Sequence, residues 1–169
     1  AYEMVRHAVT ACRYPTGTPA MFNNMETGMH GLQMYPYGLQ VEDFCMPLAI
    51  CELLLQSYGE VIRLFPAWPR DKAARFTSLR AEGGFLVSSR IDQGRIGPTS
   101  IRSTVGGPCR LRAPWPQARV TDPLGAAVPC IRDGDDLRFD TLPGQVYTVR
   151  LGGFDTHSNQ ARDLPELLQ

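Results

Sequence analysis

The sequence has no excess of either charge: 17 Lys and Arg stand against 17 Asp and Glu. A neutral chain gives no grounds for a nucleic-acid or anionic-membrane surface, as a strongly basic one would. It has no C-x-x-C pair, and its five cysteines are an odd number without metal-type spacing, which argues against a zinc site. It also lacks G-x-S-x-G, a phosphate-binding glycine loop and a helix-borne pair of histidines. Serine-hydrolase, nucleotide and zincin chemistries therefore have no support, and no cofactor is implied. The longest apolar run is too short and too interrupted to span a bilayer. The start, AYEMVRHAV, is neither a signal peptide nor an initiator Met, so the chain reads as a processed product or a piece of something longer.

What is present is the composition of a globular protein, 43% hydrophobic and 20% charged. A chain of 169 residues suits one ordinary domain, or a small helical piece joined to a β-domain. Fourteen prolines and sixteen glycines imply many turns, which favours short strands over a helical bundle.

The longest apolar run lies in Leu39–Gly59, LQVEDFCMPLAICELLLQSYG. Between Phe44 and Leu55 only Glu52 is charged, and apolar residues fall on every helical face. Such a helix is expected to be buried inside a larger body. Glu42 and Asp43 at its entrance suit the anionic first turn that the helix dipole favours, Pro47 is tolerable only near that start, and Gly59 is the expected stop. Cys45 and Cys51, six apart, point in different directions and read as buried free thiols. Glu52, mid-helix, calls for a cationic or hydrogen-bonding partner.

Ahead of this run, residues 1–13 carry Tyr2, Val5, Val9 and Cys12 at helical spacing, a pattern ended by Pro15 and Gly17. Residues 14–41 show no periodicity and are rich in Met, Tyr and Asn; they read as an ordered loop rather than a Ser-rich linker. After Gly59 the period changes to two. Strands are expected around Val61–Phe65, Phe85–Ile91, Arg95–Ile96, Ser100–Val105, Cys109–Arg112, Ala127–Ile131, Leu137–Phe139 and Val146–Leu151, with turns at Asp92-Gln93-Gly94 and Asp133-Gly134-Asp135. Strands at roughly ten-residue intervals indicate a β-sandwich. Cys109 and Cys130 are candidates to pair across strands. The reading is α+β, in three parts: residues 1–59 helical, 60–153 an antiparallel β-sandwich, and 154–169 a tail.

The order of motifs then becomes informative. Gly17-Thr-Pro-Ala-Met-Phe-Asn-Asn24, Leu39-Gln-Val-Glu42, Ile50-Cys-Glu-Leu-Leu-Leu-Gln-Ser57, Ile62-Arg-Leu-Phe-Pro-Ala-Trp-Pro69 and Leu79-Arg-Ala-Glu-Gly-Gly-Phe-Leu-Val87 follow one another. This series resembles the C-terminal end of glycoside hydrolase family 95, the inverting α-L-fucosidase and α-L-galactosidase family. The resemblance implies a larger parent, in which residues 1–59 are the last helices of an (α/α)6 catalytic barrel and the sandwich follows it. It implies a secreted or periplasmic protein acting on an oligosaccharide or polysaccharide, with the upstream barrel as partner and neither nucleic acid nor membrane involved. The family's general base is the Asp of F-Q-I-D-G-N. Aligning Gln40 with that Gln puts Glu42 on the base position and Asp43 on the Gly. The general acid belongs to the upstream part of the family barrel.

Two uses of the acidic pair stay open: Glu42 or Asp43 as the carboxylate that activates water, or both as helix caps. Asn23 and Asn24 are candidates for hydrogen bonds to sugar hydroxyls or for a turn. Tyr35 and Tyr37, flanking Pro36, are candidates to present ring faces to a pyranose or to pack locally. Trp68 and Trp115 read as packed at domain seams rather than as an exposed sugar platform. Two functional classes result: the C-terminal part of an inverting glycosidase, inert by itself, or a non-catalytic β-sandwich accessory or carbohydrate-binding module.

Overall fold

The computed structural model describes residues 1–11 and 40–152, and the chain divides into two compact units, Ala1–Leu53 and Leu54–Gln169. The first unit holds helix α1 (Tyr2–Ala11) and most of helix α2 (Gln40–Leu54). In α1 the apolar spacing has its expected effect, with Tyr2 and Val5 half-buried while Glu3, Met4 and Arg6 face solvent. The Glu3–Arg6 ion pair, at 2.6 Å, is exposed on both sides and adds little.

Helix α2 departs from expectation in three ways. Pro47 stands in its interior rather than its first turn. Having no N–H, Pro47 leaves the Asp43 carbonyl, four residues back, without that helical bond. Burial is one-sided too: Leu53 is buried, but Leu48 is 60% exposed and Ile50 also reaches solvent. Finally, the helix ends at Leu54, well short of Gly59. Backbone pairing takes over there. Strand β1 (Leu55–Gln56) runs antiparallel to β2 (Ile62–Leu64), with Leu55 opposite Leu64, and the Phe65 amide donates to the Leu54 carbonyl at 2.7 Å. Gly59 serves the reversal between the two strands, in a short 3-10 turn over Tyr58–Glu60, with φ of 66°.

The second unit is a β-sandwich. The remaining strands are β3 (Ala74–Ala81), β4 (Phe85–Asp92), β5 (Arg95–Ile96), β6 (Thr99–Ser103), β7 (Gly107–Arg112), β8 (Ala118–Thr121), β9 (Ile131–Asp133), β10 (Asp136–Thr141) and β11 (Val146–Leu151). One sheet has the order β1-β2-β7-β10-β9; the other has β3-β4-β6-β11-β8, with β5 paired to β4. Among the described residues only β2 and β7 pair in parallel.

Alternation fills the space between the sheets. Strand β4 buries Phe85, Val87, Ser89 and Ile91; β6 buries Ile101; β11 buries Tyr147 and Val149; across from them β7 buries Leu111 and β10 buries Leu137 and Phe139. Each large apolar side chain contributes about 1.5–3 kcal/mol by leaving water, and a one-residue slip of any strand would expose its whole set, so the register is fixed by the core. Two ring pairs tie the layers: Phe139 with Tyr147 at 5.7 Å, and Phe65 with Phe76 at 5.2 Å. The hydroxyls taken inside are partnered, although the buried Nε of Arg110 has no hydrogen-bond partner. Ser89 and Thr99 hydroxyls lie 2.9 Å apart, the Thr141 hydroxyl donates to the Gly107 carbonyl at 2.7 Å, and the Leu142 amide donates to the Tyr147 hydroxyl at 2.8 Å.

Three strands were absent from the sequence reading. Strand β3 hides its period behind a bulge between Phe76 and Leu79, where Ser78 takes φ of 55°. Strands β1 and β8 are too short to show one. Of Ala127–Ile131, only Ile131 is in a strand, although Ala127 forms an isolated bridge with Thr121. The proposed thiol pair is also corrected. Cys109 is buried in the core and Cys130 is exposed, and both are free, because β7 turns the first inward while the loop before β9 leaves the second in solvent.

Candidate functional site

Helix α2 begins at Gln40, so Glu42 and Asp43 are its third and fourth residues, in the first turn. Their side chains lie outside the described residues, as do Asn23, Asn24, Tyr35 and Tyr37 entirely. Among the described residues no group of three or more His, Cys, Asp or Glu is arranged to hold a metal ion, and no helix is long and apolar enough to cross a membrane.

The segment following α2 is held firmly to the sandwich. The Glu82 amide donates to the Ser57 hydroxyl at 3.0 Å, and the Glu82 carboxylate accepts from the Glu60 amide at 3.0 Å. Arg63 adds two bonds from one guanidinium nitrogen, to the carbonyls of Tyr58 and Val61 at 2.9 and 3.0 Å. Two of the sequence motifs thus meet in space. The glycines of Leu79–Val87 have a physical reason as well, since Gly83 and Gly84 take φ of 78° and 76° in the β3–β4 hairpin. A Cβ on Gly84 would stand 2.8 Å from both Thr104 and Val105 side chains.

The most organised ionic cluster lies on the outer face of the five-stranded sheet. Asp136, its side chain only 3% exposed, accepts from Arg110 at 2.7 Å and from Arg112 at 3.1 Å. Burial by itself pushes the Asp136 carboxyl up, but the hydrogen bond from Arg112 and the charges of both arginines outweigh it and hold the group below the usual carboxylate range. A carboxylate so held stays ionised and is no proton donor near neutral pH. Its lone pairs are committed to guanidinium groups, so the cluster is a clamp between β7 and β10 rather than an acid or base. Burial likewise pushes the Cys109 thiol up to about 12, which removes it as a nucleophile. Neither tryptophan supplies a sugar platform. Trp115 is buried with its indole N–H on the Ile96 carbonyl at 3.2 Å, and half-buried Trp68 donates to the Lys72 carbonyl at 3.0 Å. Both are packed in the sandwich itself. The carboxylates that sequence reasoning singled out are on α2.

The family described as glycoside hydrolase family 95, C-terminal domain, matches residues 56–149, a span that runs from β1 into β11. No curated protein matches the chain. Among solved structures the chain is similar to a family 39 glycoside hydrolase from the gut symbiont Bacteroides cellulosilyticus WH2, at 21% identity and a TM-score of 0.36. That similarity covers 47% of this chain and 17% of the other.

Proposed function

The chain belongs to glycoside hydrolase family 95, and on that premise we propose that it is the C-terminal portion of an inverting glycosidase acting on α-L-fucosyl or related linkages, with Glu42 as general base. The observation that carries this reading is positional. The family 95 C-terminal match begins at residue 56, directly behind a helix whose first turn contains Gln40-Val-Glu42-Asp43. An inverting enzyme needs a protonated acid and a carboxylate base about 6.5–9.5 Å apart, with a water between the base and the anomeric carbon. This chain supplies the base, and the acid comes from the upstream part of the barrel. Helices α1 and α2 are then the last helices of that barrel, and Leu48 and Ile50 face its other helices.

Glu42 is one methylene longer than the family's Asp, so the same water requires a slightly recessed backbone. Pro47 supports this reading, because the helical bond it removes is the one to the Asp43 carbonyl. Asp43 assists as the neighbouring carboxylate. Asn23 and Asn24 hydrogen-bond sugar hydroxyls, and Tyr35 and Tyr37 present ring faces to the pyranose. The substrate is a secreted or periplasmic protein's natural target, an oligosaccharide or polysaccharide.

The test has two arms. The 169-residue chain incubated with aryl α-L-fucoside or aryl α-L-galactoside gives no turnover. In the intact parent, Glu42→Gln lowers kcat by roughly 10²–10⁴-fold, the range general-base removal produces, with the circular dichroism spectrum unchanged. Full activity in that variant places the base on another residue.

A further inference from the structure

The two sides of the sandwich, where end strands of its sheets come together, are finished differently. On the side of β1 and β3, the bonds among Ser57, Glu60 and Glu82 join the sheets through polar groups. On the side of β8 and β9 the chain itself crosses from one sheet to the other, through residues 122–130. From Pro123 to Ile131 no residue is charged, and all but half-buried Val128 are exposed. Leu124 is 93% exposed, more than any other large apolar side chain among the described residues, and Ile131 is 72% exposed. Single exposed apolar residues are ordinary, but a contiguous uncharged run marks a contact surface.

Leu124 is held out by a tied loop. The Asp122 carboxylate accepts the Leu124 and Ala126 amides at 2.9 and 2.8 Å. The Asp122 amide donates to the Ala126 carbonyl at 2.9 Å, and the Gly125 amide donates to the Asp122 carbonyl at 3.0 Å. The backbone beside it is open as well. Ala127 forms an antiparallel bridge with Thr121, and its two bonds belong to the flanking residues: Val128 amide to Val120 carbonyl and Asp122 amide to Ala126 carbonyl. In a pair of that kind the amide and carbonyl of Ala127 itself point away from β8, and among the described residues nothing takes them. Such an edge is a template for one more segment of chain.

The segment placed to fill it is the chain's own continuation, residues 153–169, which lies outside the described residues. Strand β11 ends beside the start of β8, and Gly152 extends that pairing, its amide donating to the Gln117 carbonyl. A Cβ on Gly152 would stand 2.9 Å from that same oxygen and 3.8 Å from the Arg119 Cβ, so glycine is what lets the chain leave closely over β8. From Gln117 to Asp122 is about 17 Å along β8, and the residues from Gly152 to Leu164 reach up to about 40 Å when extended. After Phe154 the sequence is polar, Ala161 apart, until Leu164-Pro-Glu-Leu-Leu168. There Leu164, Leu167 and Leu168 have the spacing of one helical face. A second copy of the chain fits less well, since the strip offers nine residues where a stable interface takes about 20–30 from each side.

We propose that the C-terminal segment folds back along the β8 side of the sandwich. Its polar part runs antiparallel to Ala126–Val128 and takes the Ala127 amide and carbonyl, and its leucines then cover Leu124. The contact closes the second side of the sandwich with chain, as Ser57 and Glu82 close the first with polar bonds. Cys130 lies past it, toward β9, and stays open to solvent. Neither Glu42 nor the family reading enters the proposal.

A double-mutant cycle by urea unfolding of the full chain tests this. Leu124→Ser and the pair Leu164→Ser/Leu167→Ser should each raise the unfolding constant roughly tenfold or more, because each breaks the same apolar contact. Combining all three should exceed the larger effect by no more than about twofold. Hydrogen exchange at the Ala127 amide should be slow in the wild type and fast in Leu164→Ser/Leu167→Ser. An unchanged urea midpoint in Leu124→Ser overturns the proposal, as do additive effects in the triple variant or fast Ala127 exchange in the wild type. A midpoint that rises with protein concentration overturns it as well, by placing a second copy on the strip. An effect of Leu124→Ser confined to the intact parent gives the strip to the upstream chain and equally overturns the proposal.

Discussion

Ser57 and Glu82, 25 residues apart in sequence, are joined where the helix-following segment meets the β3–β4 hairpin: the Ser57 hydroxyl accepts the Glu82 amide while the Glu82 carboxylate reaches back to the amide of Glu60. The arrangement works like a capping box spread over two strands, each residue satisfying a backbone donor beside the other. Replacing Ser57 with Ala leaves the Glu82 amide to solvent. The site is exposed, so the expected cost is about 1 kcal/mol by denaturant unfolding, and Ser57→Thr should restore most of it. An unchanged midpoint in Ser57→Ala would mean that the bond contributes nothing.

Asp136 makes stability depend on acid. Its folded pKa is held below the ordinary value, so the folded state binds fewer protons than the unfolded one at mildly acidic pH. The stabilisation is complete above the unfolded aspartate range, about 3.9, and drains away as pH falls through the lower folded value. Asp136→Asn should cost about 2 kcal/mol near neutrality, the scale of hydrogen bonds to charged groups. Thermal melts from pH 7 downward should show the variant and wild type converging below about pH 4. Parallel curves would show that another carboxylate carries the acid sensitivity.

Gly84 and Gly125 separate strain from crowding. Both have positive φ, 76° and 81°, but a Cβ at Gly84 meets Thr104 and Val105 at 2.8 Å whereas one at Gly125 meets nothing within 4 Å. Gly125→Ala should cost about 1 kcal/mol from backbone conformation alone. Gly84→Ala should cost clearly more, about 2–3 kcal/mol, because the hairpin must also shift against the β6–β7 turn. Equal costs in chemical denaturation would refute the crowding argument.

The thiols should differ in reactivity. In the native chain an alkylating reagent should modify exposed Cys130 promptly and leave Cys109 untouched, since the latter is buried and its thiol pushed up to about 12. Peptide mapping after a short iodoacetamide pulse reads this directly. Denaturant should expose Cys109 to the reagent as well. Labelling of Cys109 at the rate of Cys130 in the native state would contradict its place in the core.

The candidate site was legible only through motif order. Gln40-Val-Glu42-Asp43 gains meaning from the motifs that follow it, because two adjacent carboxylates at a helix start are equally good caps. The sandwich residues that the ionic picture later emphasised, Asp136 with Arg110 and Arg112, carried no such signal. They lie 26 and 24 positions from it in the chain and meet only through the pairing of β7 with β10.

Local chemistry was enough to mark the β-rich part, apart from β1, β3 and β8. Alternation marks β4, β10 and β11, and turn residues mark the hairpins at Gln93-Gly94 and Gly134, where positive φ falls on the expected residues. Tertiary structure alone decided the rest. Helix α2 yields to strand at Leu55 because β2 offers a pairing edge that no local propensity reveals. Strand β3 exists despite its bulge because β4 pairs with it on both sides of the irregularity. Charge shows the difference most plainly. The chain totals 17 basic and 17 acidic residues and looks neutral, yet register gathers six arginines onto one sheet face and assigns Asp133 and Asp136 to the other. A sum over the sequence has no direction; only the pleat and register of strands give each charge a side.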